Sequence, residues 1–283
     1  MKRRTKRNVA ILGTLSLALL LGGCASNAPI TSHSTGFWDH YIIWNFVRAI
    51  QWLSNIFGHN YGWGIVVFTI IIRIIILPLM FYQMKSMRKT QEIQPKLMAL
   101  QKKYPGKDPE SIQKLNEEQQ KLYAEAGINP MAGCLPMLVQ MPILLALYQA
   151  IWRSPILKNG DFLWMHLGDK DPYYIMPILA ALFTFLTSKL SIMSQPKVEG
   201  ASNIMNNMTL YFMPIMTGFI AINLPSALSL YWVVTNAFSV AQTLLLQNPF
   251  KIQKERAEKE TAEKARKRRI EKAKRKAYKS KRK

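Results

Sequence analysis

Residues 62–81 read GWGIVVFTIIIRIIILPLMF, twenty residues that are apolar almost throughout and carry one charge, Arg73. A helix of this length spans the roughly 30 Å hydrocarbon core of a bilayer. An arginine near its middle costs about 2.5–3.5 kcal/mol on insertion scales, so such a side chain faces protein or water rather than acyl chains. Four more apolar runs follow. Together they predict five transmembrane helices, at 62–82, 134–153, 174–192, 208–223 and 227–247. Leu224-Pro225-Ser226-Ala227 leaves room only for a tight turn, so the last two spans form a close hairpin. None of the five contains Asp or Glu, which leaves Arg73 without an obvious ion-pair partner.

The fold class this predicts is an all-α membrane protein. Mean hydropathy is close to zero although 49% of the residues are hydrophobic. Polar and apolar residues must therefore be segregated, and the formal charge of +22 is concentrated outside the spans. The polar stretch 84–133 holds nine Lys/Arg, and the tail 248–283 holds 17 against five Glu. The loop 154–173 instead carries Asp161, Asp169 and Asp171. An excess of Lys/Arg marks cytoplasmic segments. Residues 84–133, the loop 194–207 and the tail are thus expected inside, and 154–173 outside.

Residues 84–133 predict a helical hairpin in water. Ile93, Leu97, Leu100 and Tyr104 recur at helical spacing in its first arm, and Ile112, Leu115 and Leu122 in its second. Asp108 suits an N-cap, Pro109 the first helical position and Gly127 a C-terminal stop. Pro95 predicts a kink or a late start in the first arm. Residues 37–58 predict an amphipathic helix. Ile42, Phe46, Ala49, Ile50, Leu53 and Phe57 lie on its apolar side, with Asn45, Arg48, Gln51, Ser54 and Asn55 opposite. Trp38, Trp44 and Trp52 suit the outer membrane–water interface.

Residues 1–23 begin MKRRTKR, continue through an apolar stretch and end in Leu21-Gly22-Gly23 before Cys24. A basic start, a short apolar stretch and small residues before a cysteine form a signal peptide rather than a span. The LGGC sequence resembles a lipobox, which implies lipidation at Cys24 and a linker over 24–36. An outside N-terminus, five spans and a cytoplasmic C-terminus in a bacterial plasma membrane then agree with the charge-based orientation.

The polar residues within the spans define the candidate site. Thr69 stacks one turn before Arg73. The second span offers Gln140. In the third, Thr184, Thr187, Ser188 and Ser191 share a helix face, and in the fifth Thr235, Ser239 and Gln242 do so, with Asn236 beside them. Interhelical hydrogen bonding is the ordinary use of such residues. With Arg73 added, they predict a polar groove lined by Arg73, Thr69, Gln140, Ser188, Asn236 and Gln242. Met80, Met84, Met87 and Met98 form a flexible apolar set near the same end. All four histidines lie outside the spans, and no protease, hydrolase or phosphate-binding motif is present. No enzyme, cofactor or metal site is expected. The tail's basic residues suit anionic lipid or ribosomal RNA.

Three stretches carry a family resemblance: Gly62–Leu79 (GWGIVVFTIIIRIIILPL), Asn129–Tyr148 (NPMAGCLPMLVQMPILLALY) and Leu224–Gln242 (LPSALSLYWVVTNAFSVAQ). Over roughly residues 38–247 the chain resembles the YidC/Oxa/Alb membrane protein insertases. The lipobox resembles the Gram-positive type, and the basic tail resembles the subtype whose tail assists ribosome contact. The resemblance implies a five-helix core with a hydrophilic groove open to cytoplasm and lipid, a groove arginine at Arg73, and a hairpin at 84–127 that recruits substrate. It implies nascent membrane proteins, the ribosome and anionic lipids as partners, with the Sec translocon a further candidate. A small-anion transporter and a lipid-anchored assembly chaperone are the alternative functional classes.

Overall fold

The computed structural model describes residues 28–106, 108–129, 135–195, 204 and 206–280, with backbone alone for 135–137 and 274–280. The expected signal peptide, Cys24, Cys134 and most of the loop at 194–207 lie outside the described residues. The described chain is almost wholly helical. Its sole strands are the two-residue antiparallel pair β1 (Asp161–Phe162) and β2 (Met165–His166). The helices are α1 (Trp44–Ile56, entered through a π-helical turn Phe37–Ile43), α2 (Tyr61–Lys103), α3 (Pro109–Glu125), α4 (Leu135–Arg153) and α6 (Ile175–Met193). Then come α7 (Met213–Ile222, entered through a π-helical turn Met208–Phe212), α8 (Ser226–Leu246) and α9 (Pro249–Ser280). A one-turn helix, α5, occupies Pro155–Lys158.

Among the described residues, three helices are long and apolar enough to cross a membrane by length and composition: α2, α6 and α8. The apolar α4 has 19 residues, and the apolar segment Met208–Ile222 is shorter than a full span. These features make the molecule an all-α membrane protein.

The first span and the first hairpin arm, which the sequence divides near residue 83, are one helix of 43 residues. At 1.5 Å per residue it is about 65 Å long, twice the thickness of a hydrocarbon core. Pro78 and Pro95 both lie inside it without ending it. Asn60 opens α2 by accepting the Trp63 amide at 3.1 Å, and Asp108 opens α3 by accepting the Ser111 amide at 2.8 Å. That hydrogen bond holds the Asp108 carboxyl below the usual carboxylate range. Pro109 takes the first helical position and Gly127, at φ 61°, follows the end of α3, as the spacing predicts.

Packing is polarised along the bundle. The buried apolar residues gather at one end, called here the capped end, where Ile43 of the π-helical turn and Val47 and Ile50 of α1 meet Ile65 of α2, Leu147 and Ile151 of α4, and Leu228 of α8. The face α1 buries is turned from the one its sequence suggests. Ser54, expected on the polar side, is fully buried, and its hydroxyl donates to the Ile50 carbonyl at 2.7 Å. Gly64 is the cause: a Cβ there would meet Ser54 Oγ and lie 2.7 Å from the Ile50 carbonyl, so only glycine lets α1 and α2 approach this closely.

The loop between α4 and α6 stitches the cap together. Both Ser226 N and Oγ donate to the Asp169 carbonyl at 2.6 Å, and Ala227 N donates to the Leu167 carbonyl at 3.1 Å. Asp171 accepts from Met176 N at 2.7 Å and from Trp164 Nε1 at 2.9 Å. One loop thus satisfies amides at the N-termini of both α6 and α8, which an unaided helix leaves without partners.

The cap is locked by a charge pair that the sequence did not advertise. Arg153, at the end of α4, donates Nη1 to Asp39 Oδ1 at 3.0 Å and Nη2 to Asp39 Oδ2 at 2.6 Å. Its Nε donates to the Ala28 carbonyl at 2.8 Å, and its own carbonyl accepts the Ile30 amide at 3.0 Å. The Arg153 side chain is 3% exposed. Removing one partner of such a pair strands the other, at a cost of about 3–5 kcal/mol. Arg153→Ala is therefore expected to lower the unfolding midpoint in detergent micelles sharply. Lys158→Ala, which removes only a cation over the Trp152 ring at 4.5 Å, is expected to cost about 0.5–1 kcal/mol. Equal midpoints for the two variants would contradict the lock.

Candidate functional site

Toward the opposite end, where α3 and α9 emerge, the bundle opens. A cavity of ≈ 190 Å³ is walled by α2, α6, α8 and the start of α9. Arg73 stands at its deep end, and Arg88 and Gln91 near its mouth. The fifteen residue steps from Arg73 to Arg88 make it about 22 Å long along α2. The apolar part of its wall is Met80, Met84 and Met87, one flexible stripe on α2. The polar part is Gln83 on the same helix, Thr187, Ser191 and Ser194 on α6, and Ser239, Gln242, Thr243 and Gln247 from α8 to its C-cap.

Arg73 is half-buried. Its Nη2 donates to Gln140 Oε1 at 3.4 Å, and Gln140 Nε2 donates to the Tyr231 hydroxyl at 2.6 Å. The shorter bond fixes the amide on α8, so its carbonyl oxygen is presented to the guanidinium from α4. Among the described residues no carboxylate lies within ion-pair distance of Arg73. A single long hydrogen bond from a five-donor group leaves most of its capacity unspent. Such a cation is stabilised by water or by an incoming acceptor, and the cavity supplies room for either.

Gln83 strengthens the same point. It is 2% exposed and lines the cavity, yet its Nε2 has no hydrogen-bond partner. A buried amide donor left unpaired costs about 1–3 kcal/mol. A cavity of ≈ 190 Å³ holds several waters at about 30 Å³ each. The cavity thus has both the room and an unpaired donor for water.

The structure sorts the residues read from sequence. Arg73 and Gln242 line the cavity, and Gln242 Nε2 lies 3.2 Å from Met84 Sδ. Gln140 touches Arg73 from α4. Thr69, Ser188 and Asn236 are not among the lining residues. Thr69 is 1% exposed, and its hydroxyl donates back to the Ile65 carbonyl at 2.7 Å, so it closes the deep end as packing. The Asn236 side-chain amide donates to its own helix at the Trp232 carbonyl, 3.0 Å away, and the Asn236 backbone carbonyl accepts from the Thr187 hydroxyl at 3.4 Å. The wall of α6 is Thr187, Ser191 and Ser194, one step round the helix from Ser188. Sequence reading missed Gln83, Thr243 and Tyr231. Gln83 sits just past the first apolar run and reads as the start of a polar hairpin. Tyr231 reads as one more aromatic residue in a span.

A cavity lined by a half-buried cation, amides, hydroxyls and methionines, let into a bundle of apolar helices, defines a membrane protein with a partly polar internal cavity. The chain belongs to the 60Kd inner membrane protein family, whose model matches residues 52–255. It is 60% identical over 257 residues to the membrane protein insertase YidC of Pediococcus pentosaceus, covering 91% of each chain. It is 57% identical to the membrane protein insertase YidC 2 of Lactiplantibacillus plantarum, over 92% of each chain. It is 54% identical to the membrane protein insertase YidC of Enterococcus faecalis, over 96% of each.

The Gln140–Tyr231 bond has a direct test. Tyr231→Phe removes the acceptor and strands a partly buried donor, for an expected loss of about 1–3 kcal/mol of stability. In a Gln140→Ala background the same change is expected to cost nearly nothing, since the bond is already gone. Thermal unfolding of the four proteins reads this, and additive losses would show that the two side chains do not interact.

Proposed function

We propose that the chain is a membrane protein insertase in which Arg73 draws polar or acidic segments of nascent membrane proteins into the groove. The observation that carries this reading is a cation with unspent donors at one end of a cavity with room for water. A translocating segment has polar groups that lose water on entering lipid, several kcal/mol for each one left unpaired. A groove that reaches part-way across the bilayer shortens the apolar distance those groups must cross. Methionines on α2 offer an adaptable surface for apolar neighbours. The groove's polar wall carries hydroxyls and amides, which accept and donate without demanding a sequence. Nothing in this scheme forms or breaks a covalent bond, so the role is not enzymatic. The free energy comes from partitioning of the apolar segment, with the membrane potential acting on charged ones.

The same reading places the chain in the bacterial plasma membrane with five spans: α2, α4, α6, the segment Met208–Ile222, and α8. Charge orients α3 and α9 toward the cytoplasm. The capped end then faces outward, which makes the groove a blind inlet rather than a channel. Lipidation at Cys24 would anchor the N-terminus beside that cap. The hairpin and the basic tail are the approach surfaces, for substrate and for the ribosome or anionic lipid respectively, and the Sec translocon is a further partner in this scheme.

In proteoliposomes, Arg73→Ala is expected to lower insertion of a single-span reporter with an acidic leading segment by about tenfold, equivalent to about 1.4 kcal/mol. Arg73→Lys is expected to retain most activity if charge is what matters. Insertion unchanged by Arg73→Ala across acidic and neutral reporters would refute the role given to the guanidinium.

A further inference from the structure

One wall of the cavity comes from outside the bundle. Asn248 adopts φ 37°, a left-handed conformation that turns the chain sharply after α8. Its amide donates to the Thr243 carbonyl at 3.1 Å, and its Oδ1 accepts from Lys251 N at 3.1 Å. One residue thus ends α8 and starts α9. The turn lays the root of α9 across the mouth of the groove. Pro249 is fully buried, and Ile252 is 4% exposed and lines the cavity. One turn on, Arg256 Nη1 donates to the Ser194 carbonyl at 2.5 Å. Ser194 is the C-cap of α6, where a cation is favoured by the helix dipole.

This closure is opposed as well as held. Partial burial and the nearby Arg88 both push the Arg256 pKa down, and Glu92 offsets them only in part. Beyond this root, residues 257–273 of α9 are exposed throughout. Between residues 257 and 280 it carries 11 Lys/Arg against four Glu. The 24 residue steps from Arg256 to Ser280 make an arm about 36 Å long. The arm's charges surround it and Ile270 is its one large apolar residue, so it lacks the apolar face that a helix needs to lie in a bilayer interface. A phosphate backbone, which binds through counterion release, fits it better.

We propose that the first two turns of α9 gate the mouth of the groove, and that RNA bound along the basic arm lifts them. The arm and the root are one helix, so force on the arm is delivered to Ile252 and Arg256 with Asn248 as the pivot. The inference rests on the groove reading for what the gate admits. The closure itself is a matter of geometry, and its test reads accessibility rather than insertion. Failure of the gate is therefore distinguishable from failure of the insertase role.

The test uses the full chain in neutral phosphatidylcholine nanodiscs, with Cys134→Ser and a reporter thiol at Ser191→Cys on the groove wall. The readout is the initial rate of alkylation by a membrane-impermeant maleimide. A 40-nucleotide poly-uridylate RNA is expected to raise the rate at least fivefold in low salt and to have no effect in 0.5 M salt. Arg256→Ala combined with Ile252→Ala is expected to give the fast rate without RNA, and Arg256→Lys, which still donates, to stay near the slow one. A double variant that labels no faster than its parent would overturn the gate. RNA that binds, by anisotropy, without changing the rate would overturn the coupling. Acceleration by phosphatidylglycerol vesicles and not by RNA would overturn the choice of partner.

Discussion

A guanidinium inside a helical bundle, with a glutamine amide for company and no described carboxylate in reach, sets the terms for everything around it. Arg73 would be unaffordable against acyl chains. It is tolerable where α2, α6 and α8 leave between them a cavity with room for water beside the charge. The Tyr231 hydroxyl holds the Gln140 amide, and the amide offers its oxygen to Arg73. Three helices are tied through one side chain that is itself neutral. A carboxylate in that position would satisfy the cation and leave it nothing to offer an incoming segment.

The cavity in turn needs a rigid cap. A bundle with water in one half has lost apolar contacts there, and the other half must compensate. The apolar core is accordingly concentrated at the capped end, where α1 lies against α2 through Gly64 and Ser54. The loop from α4 to α6 caps two helix N-termini at once. The Arg153–Asp39 pair pins α4 to the segment that leads into α1. The two arginines are opposites in design. Arg153 has its donors matched by a carboxylate, a glutamine and a backbone carbonyl, and serves structure. Arg73 makes one long hydrogen bond, to Gln140, and keeps donors to spare toward the cavity.

The long apolar runs, the lone charge and the capping residues Asp108, Pro109 and Gly127 were legible in the sequence because each depends on local spacing. Fold class followed from those alone. The groove wall was legible only in part. Serine, threonine and asparagine within an apolar helix commonly bond back to their own helix, as Thr69 and Asn236 do, so polarity at a given depth does not say which face meets water. Gln83 and Tyr231 act through partners or space supplied by other helices. Arg153 and Asp39 lie 114 residues apart in the chain, and neither has a local feature that announces the other. The root of α9 was hidden for another reason: a tail rich in Lys, Arg and Glu reads as free of the bundle, and only the turn at Asn248 brings Ile252 into the cavity.

The central claim is that water stands beside Arg73 within the span. It is tested most directly by deuterium modulation of a nitroxide label at Thr187→Cys, in a Cys134→Ser chain reconstituted in bilayers prepared in heavy water. A label at Phe219→Cys, on an exposed apolar face, supplies the lipid-facing reference. Strong deuterium modulation is expected at Thr187 and weak modulation at Phe219. Equal, weak modulation at both would mean that the groove is dry and that Arg73 is held there by something other than water.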